Sequence, residues 1–118
     1  LVVTHPEGYE LASKFKGDVI TEYNQEKAFE GADFIYAKNW SSYTDYGKIL
    51  STDSSWMVTA KKMKLTNDAK FMHCLPVRRN QIVEDAVMES KASLVIEEAA
   101  NRIVSMQTVL KRMLEDLV

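Results

Sequence analysis

Apolar positions in this chain fall into short runs of strand length, followed by one long helical stripe. Leu1–His5, Val19–Tyr23, Phe34–Ala37, Lys70–Cys74 and Ser93–Ile96 are apolar, β-prone runs. Stretches with helical spacing alternate with them. Asn24 can cap a helix reaching Ala32, with Ala28, Phe29 and Ala32 on one face. Thr59–Leu65 suits a short Lys-rich helical turn, and Ile82–Glu89 places Ile82, Val83, Ala86 and Val87 on one side. From Glu98 to about Leu117, the residues Ile103, Met106, Leu110, Met113 and Leu117 recur at three- and four-residue steps. That spacing predicts a long carboxy-terminal helix with its Met-rich stripe in the core. The alternation predicts an α/β fold: a doubly wound, mostly parallel sheet of about five strands with flanking helices. Lys38–Val58 breaks the rhythm. Its aromatics Trp40, Tyr43, Tyr46 and Trp56 suggest a long loop that packs over something.

Composition narrows the class. A chain of 118 residues bounds the answer at one domain with a modest core. With 46% hydrophobic and 27% charged residues it reads as globular rather than disordered. A net charge of -2 argues against a nucleic-acid partner, which calls for a basic face. The single cysteine excludes an internal disulfide and fits a reducing compartment. No apolar run approaches the roughly 18–20 residues that span a bilayer, and no leader pattern is present. A cytoplasmic location, with no membrane partner, is therefore expected. The chain opens on Leu1-Val2-Val3-Thr4 with no methionine ahead of it. That opening suggests a piece of a longer protein.

Candidate chemistry gathers at strand ends, where open parallel sheets bind their ligands. Thr4 to Tyr9 follows the first run, Lys38-Asn39-Trp40 the third, and His73-Cys74-Leu75-Pro76 the fourth. Glu97-Glu98 and Asn101-Arg102 follow the fifth. The densest stretch is Phe71 to Asn80, where an apolar entry meets the thiol, a Leu-Pro bond and two arginines. Arginine forks suit carboxylate or phosphate. The plainer reading is a buried strand, a turn and a solvated basic pair. Cys74 reads as a nucleophile with His73 as base, or as a small buried apolar residue. Adjacent strand residues point to opposite faces, which weakens the catalytic pairing. A cis Leu75-Pro76 bond would instead turn the Cys74 and Leu75 carbonyls towards a ligand amine. Lys38 is either a site residue or a solvated lysine. Arg102, expected in the first turn of the last helix, opposes the helix dipole there, as a ligand-binding cation would. His5 and His73 lack partners at metal-ligand spacing, so no metal site is assigned. The scattered glycines form no nucleotide loop, and no cofactor is implied.

These motifs resemble the second, amino-acid-binding domain of carbamoyltransferases. The resemblance rests on His73-Cys74-Leu75-Pro76 with Arg78-Arg79-Asn80, on Ala37-Lys38-Asn39-Trp40 and on Asn101-Arg102, and it covers essentially residues 1–118. Within the family it points first to members acting on N-succinyl-L-ornithine and next to those acting on N-acetylornithine. It implies that Cys74 and Leu75 bring backbone carbonyls to the amine and the carbamoyl group, across a cis bond. It implies that Arg102 contacts carbamoyl phosphate, and that Lys38 and Arg78 hold the acylated amino acid. Cys74, Leu75 and Arg102 are thereby the expected catalytic residues. Lys38 stands where ordinary ornithine enzymes carry an aspartate. A cation there repels a free α-ammonium and attracts the carboxylates of an acylated ornithine.

The resemblance further implies a homotrimer and a separate carbamoyl-phosphate domain with a Ser-Thr-Arg-Thr-like loop. No such loop occurs in this chain, and Ala100 replaces the usual Glu before Asn-Arg. The 118-residue segment alone is accordingly expected to be inactive. A non-catalytic α/β binding module is the competing expectation.

Overall fold

The protein is described by a computed structural model covering residues 1–42, 45 and 53–116. Tyr43, Tyr46, Leu117 and part of the long loop lie outside the described residues. Strand β1 (Val2–Val3) pairs in parallel with β2 (Ile20–Thr21). Helix α1 (Gln25–Phe29) leads into β3 (Phe34–Ala37), and α2 (Ala60–Met63) leads into β4 (Lys70–His73). β3 and β4 are parallel, with Ile35 opposite Phe71 and Ala37 opposite His73. Helices α3 (Asp85–Met88) and α4 (Val95–Glu115) complete the chain.

Local chemistry explains the boundaries. Asn24 caps α1 by accepting from the Lys27 N–H at 3.1 Å, and Thr59 caps α2 by accepting from the Lys62 N–H at 3.2 Å. Before α3, Asn80 takes the left-handed backbone (φ 56°), and its amide bonds both the Asp85 N–H and the Asp85 carboxylate. The core lies where Phe29 of α1, Ile35 of β3, Phe71 of β4, Val87 of α3 and Val95 of α4 meet.

The predicted helices at Asn24–Ala32 and Ile82–Glu89 are shorter, at Gln25–Phe29 and Asp85–Met88, and two larger differences lie in the sheet and the last helix. Among the described residues the sheet is two parallel pairs rather than one five-stranded unit. The predicted fifth strand contributes a single bridge, Ser93 to Phe71, and the helix begins at Val95. A four-residue apolar run fits a strand or a buried helix start equally well. Glu97 and Glu98 in the first turn favour the helix through its dipole.

The second difference is the α4 stripe. Ile103, Met106, Leu110 and Met113 are exposed, Ile103 at 67% and Met113 at 61%. A 21-residue helix is about 31 Å long. Only its first turns meet β4, and Val95 is its one buried residue among those described. The radius of gyration, 16.3 Å, exceeds the roughly 13.5 Å of a compact chain of this length for that reason.

One side chain pins the segment ahead of α2. Lys62 Nζ donates to Gln25 Oε1, to the Ser55 carbonyl and to the Met57 carbonyl, the last at 3.0 Å. Burial pushes its ammonium below the usual lysine range. Lys62→Met keeps the apolar stem and removes every donor. It is expected to cost about 1–3 kcal/mol in urea unfolding. It should also shift tryptophan emission, since Trp56 sits in this segment, 6.0 Å from Trp40.

Candidate functional site

The parallel register of β3 and β4 brings the residues after Ala37 beside those after His73. Lys38-Asn39 and Cys74-Leu75 therefore share one edge, on neighbouring strands about 4.8 Å apart. Asn39 ties the two together. Its Nδ2 donates to the Pro76 carbonyl at 2.8 Å, and its Oδ1 accepts from the Arg78 N–H at 3.3 Å. This clamp went unrecognised in the sequence, because a partner 37 residues away leaves no local signature.

The turn between the strand and Arg78 has an unusual backbone. Leu75-Pro76 is cis, as expected, and Leu75 adopts φ 40°. A left-handed branched residue costs on the order of 1–3 kcal/mol and persists only where its surroundings hold it. Leu75 and Val77 pack against the core, and the Leu75 N–H donates to His73 Nδ1 at 3.0 Å. Outside strand pairing, neither the Cys74 nor the Leu75 carbonyl accepts a hydrogen bond among the described residues. Among the described residues both acceptors are therefore open at the strand end.

His73 is not placed to activate Cys74. It shares a face with Phe71 and is 1% exposed, whereas Cys74 falls on the other face with Tyr36 and Met72. There, burial and then the neighbouring Glu98 carboxylate and Cys74 thiol push the Tyr36 phenol up to about 12. Burial lowers the His73 imidazole below its ordinary value; Glu98 opposes that shift and Lys38 adds to it. The ring is thus neutral near pH 7. Above about pH 6.5 folded and unfolded chains both carry it uncharged. Below that, the unfolded chain takes up a proton that the folded chain refuses, so stability falls by up to about 1.4 kcal/mol per pH unit until the folded ring also titrates. Comparing urea unfolding between pH 7.5 and 5.5 with a His73→Asn variant should remove this contribution and leave the remaining slope.

The two arginines have different fates. Arg79 is occupied by Asp85 at 2.9 Å and Glu89 at 2.5 Å, which fasten the turn to α3. Arg78 is half-buried, and its Nη1 is buried with no partner. Among the described residues five buried side-chain polar atoms lack a partner, and three of them, His73 Nε2, Arg78 Nη1 and Glu98 Oε2, belong to this edge. Unpaired buried polar atoms are costly, and three of them near one edge make that edge the candidate site.

Arg102 is exposed on α4, one turn beyond Glu98 on the same side of the helix. Because α4 starts at Val95, Arg102 lies about two turns in, past the reach of the helix dipole. The electrostatic argument for it therefore fails. Sequence reading grouped Glu98 with the strand-end polar residues but did not connect it with Tyr36; one sits inside a helix and the other inside a strand, and only folding joins them. Trp40 and Trp56 pack on one another, with Tyr9 5.5 Å from Trp40. No group of three or more metal-ligating side chains occurs among the described residues.

Comparison with known proteins gives a consistent result. A family profile described as aspartate/ornithine carbamoyltransferase, Asp/Orn binding domain, matches residues 4–113. N-succinylornithine carbamoyltransferase of Bacteroides fragilis is 64% identical over 98% of this chain and 37% of its own length. N-acetylornithine carbamoyltransferase of Xanthomonas campestris is 38% identical over 74% of this chain and 27% of its own. Among solved structures, a mutant N-acetyl-L-ornithine transcarbamylase complexed with carbamyl phosphate and N-succinyl-L-norvaline superposes with a TM-score of 0.75. It is 31% identical, and the match covers 86% of this chain and 36% of that one. The chain thus spans between about a quarter and little more than a third of the length of these relatives. With the profile matching nearly its whole length, and parallel strands ending in His73-Cys74-Leu75-Pro76, the chain belongs to the aspartate/ornithine carbamoyltransferase family.

Proposed function

We propose that residues 1–118 are part of the amino-acid-binding domain of an enzyme that carbamoylates N-succinyl-L-ornithine. The carbamoyl-phosphate-binding domain then lies outside this chain. The neutral δ-amine forms a C–N bond to the carbamoyl carbon, the C–O bond to phosphate breaks, phosphate leaves with the electron pair, and one amine proton is released. The products are N-succinyl-L-citrulline and phosphate, a step towards arginine. The observation that carries this reading is the Arg78 nitrogen, buried and unpartnered, at the edge where Lys38 also emerges. Two cations suit a substrate whose α-ammonium is masked and whose acyl group adds a second carboxylate.

In this reading Lys38 and Arg78 hold the carboxylates, and the Cys74 and Leu75 carbonyls accept N–H groups of the amine and the carbamoyl group. Arg102 balances charge on carbamoyl phosphate. Catalysis rests on positioning and on charge stabilisation, with no metal or cofactor. The 64% against 38% identity favours succinyl over acetyl as the acyl group. The amino-terminal half of the same enzyme is the partner that covers the exposed apolar side of α4. A homotrimer in the cytoplasm completes the reading, on the family resemblance; no described helix is long and apolar enough to cross a membrane.

The test is carbamoyl transfer by the complete enzyme with N-succinyl-, N-acetyl- and free ornithine at matched concentrations. N-Succinylornithine is expected to give the highest kcat/KM, and the 118-residue chain alone no turnover. Preference for free ornithine would overturn the assignment of Lys38 and Arg78.

A further inference from the structure

The geometry points to His73 as a positioning residue of the transfer step, which fixes the Leu75 N–H and thereby aims the Cys74 and Leu75 carbonyls. The inference rests on the functional reading above, in which those carbonyls meet the reacting groups. His73 is the only side chain that bonds the backbone of Cys74 or Leu75 among the described residues, through Nδ1 to the Leu75 N–H at 3.0 Å. Asn39 holds the far side of the same turn through the Pro76 carbonyl. The turn is bracketed by His73 on one side and Asn39 on the other. Without the His73 bond, the Leu75 peptide loses the one polar contact that opposes rotation of the plane carrying the Cys74 carbonyl.

An acceptor at Nδ1 requires the ring proton to sit on Nε2. That Nε2–H is buried without a partner, and so is the Glu98 Oε2. The charged groups acting on the ring are Glu98 from α4, which attracts positive charge, and Lys38 from the end of β3, which repels it. Protonation would destroy the Nδ1 acceptor, so a neutral ring is the form that holds the turn. His5 provides an internal contrast. Its Nδ1 lies 2.9 Å from the Pro6 carbonyl, an acceptor, so its proton sits on Nδ1.

Two measurements test this. In the complete enzyme, His73→Asn places an amide oxygen near the Nδ1 position, whereas His73→Gln keeps only an N–H near the Nε2 position. The Gln variant is expected to lose about 10- to 100-fold in kcat, as misplacement of reacting groups by an ångström does. KM for the acylated ornithine should stay within about threefold, because Lys38 and Arg78 are untouched. The Asn variant should recover to within about fivefold of the parent. Equal loss in both variants, or full activity in Gln, would overturn the role. Imidazole ¹⁵N shifts of the labelled 118-residue chain, which has two histidines, need no variant. One ring with its proton on Nε2 and none on Nδ1 is expected at pH 7.5, and the absence of such a ring would refute the proposal. If the parent enzyme carries out no carbamoyl transfer, the functional reading fails while the tautomer result stands by itself.

Discussion

Replacing Arg78 with alanine in the complete enzyme is expected to raise KM for the acylated ornithine by about 10- to 100-fold, with a much smaller change in kcat. A hydrogen bond to a charged group contributes roughly 1.5–3 kcal/mol, and each 1.4 kcal/mol is about tenfold in affinity. Arg78 sits in the upper part of that range because its Nη1 is shielded from water and has no protein partner to release. An interaction made equally with the bound substrate and the transition state appears in KM rather than kcat. Arg79→Ala is the matched control. Its guanidinium is engaged by Asp85 and Glu89, so its loss should loosen the start of α3 and leave KM unchanged. Equal KM effects from the two substitutions would show that the site recognises general positive charge rather than the Arg78 fork.

The second large effect concerns stability. Phe71→Ala is expected to cost about 3–5 kcal/mol in urea unfolding, a large fraction of the roughly 5–15 kcal/mol typical of whole proteins. Phe71 is 0% exposed and lies opposite Ile35 across the parallel pair. Its backbone also accepts the Leu94 N–H and donates to the Ala92 carbonyl, both at 2.8 Å, so it joins β4 to the start of α4. The cavity would open two residues before His73 and loosen the turn that carries the carbonyls. An exposed apolar position such as Ile103 should lose far less in the isolated chain, because its side chain already faces water.

Much of the fold was legible in the apolar pattern because strand and helix periods differ. β3 matches the predicted Phe34–Ala37 in both bounds, and Asn24 and Thr59 cap the helices that follow them. The pattern misled at Ser93–Ile96, where a short apolar run serves as one bridge and a helix start. It misled again at α4, where an amphipathic stripe says that a partner surface exists but not whether this chain supplies it. The site was legible to the same degree. Lys38, Cys74, Leu75 and Arg78 follow the ends of β3 and β4, but the distinction between Arg78 and Arg79 could not be read from adjacent identical side chains. Asp85 and Glu89 choose Arg79 because the turn at Asn80 brings the start of α3 back towards it.

By itself, the sequence determined the class of fold and the strand-end clustering of polar residues, since each is written in neighbouring residues; the cis bond at Leu75-Pro76 was expected only through the family resemblance. Only the tertiary structure decided which of those residues are engaged and which are left open. Asn39 reaching Pro76, Glu98 beside Tyr36 and Cys74, and His73 turned away from the thiol are products of β3, β4 and α4 packing together. The physical reason is range. Periodicity and turn chemistry act over a few residues, whereas the burial that leaves Arg78 Nη1, His73 Nε2 and Glu98 Oε2 without partners among the described residues arises from segments far apart in the chain.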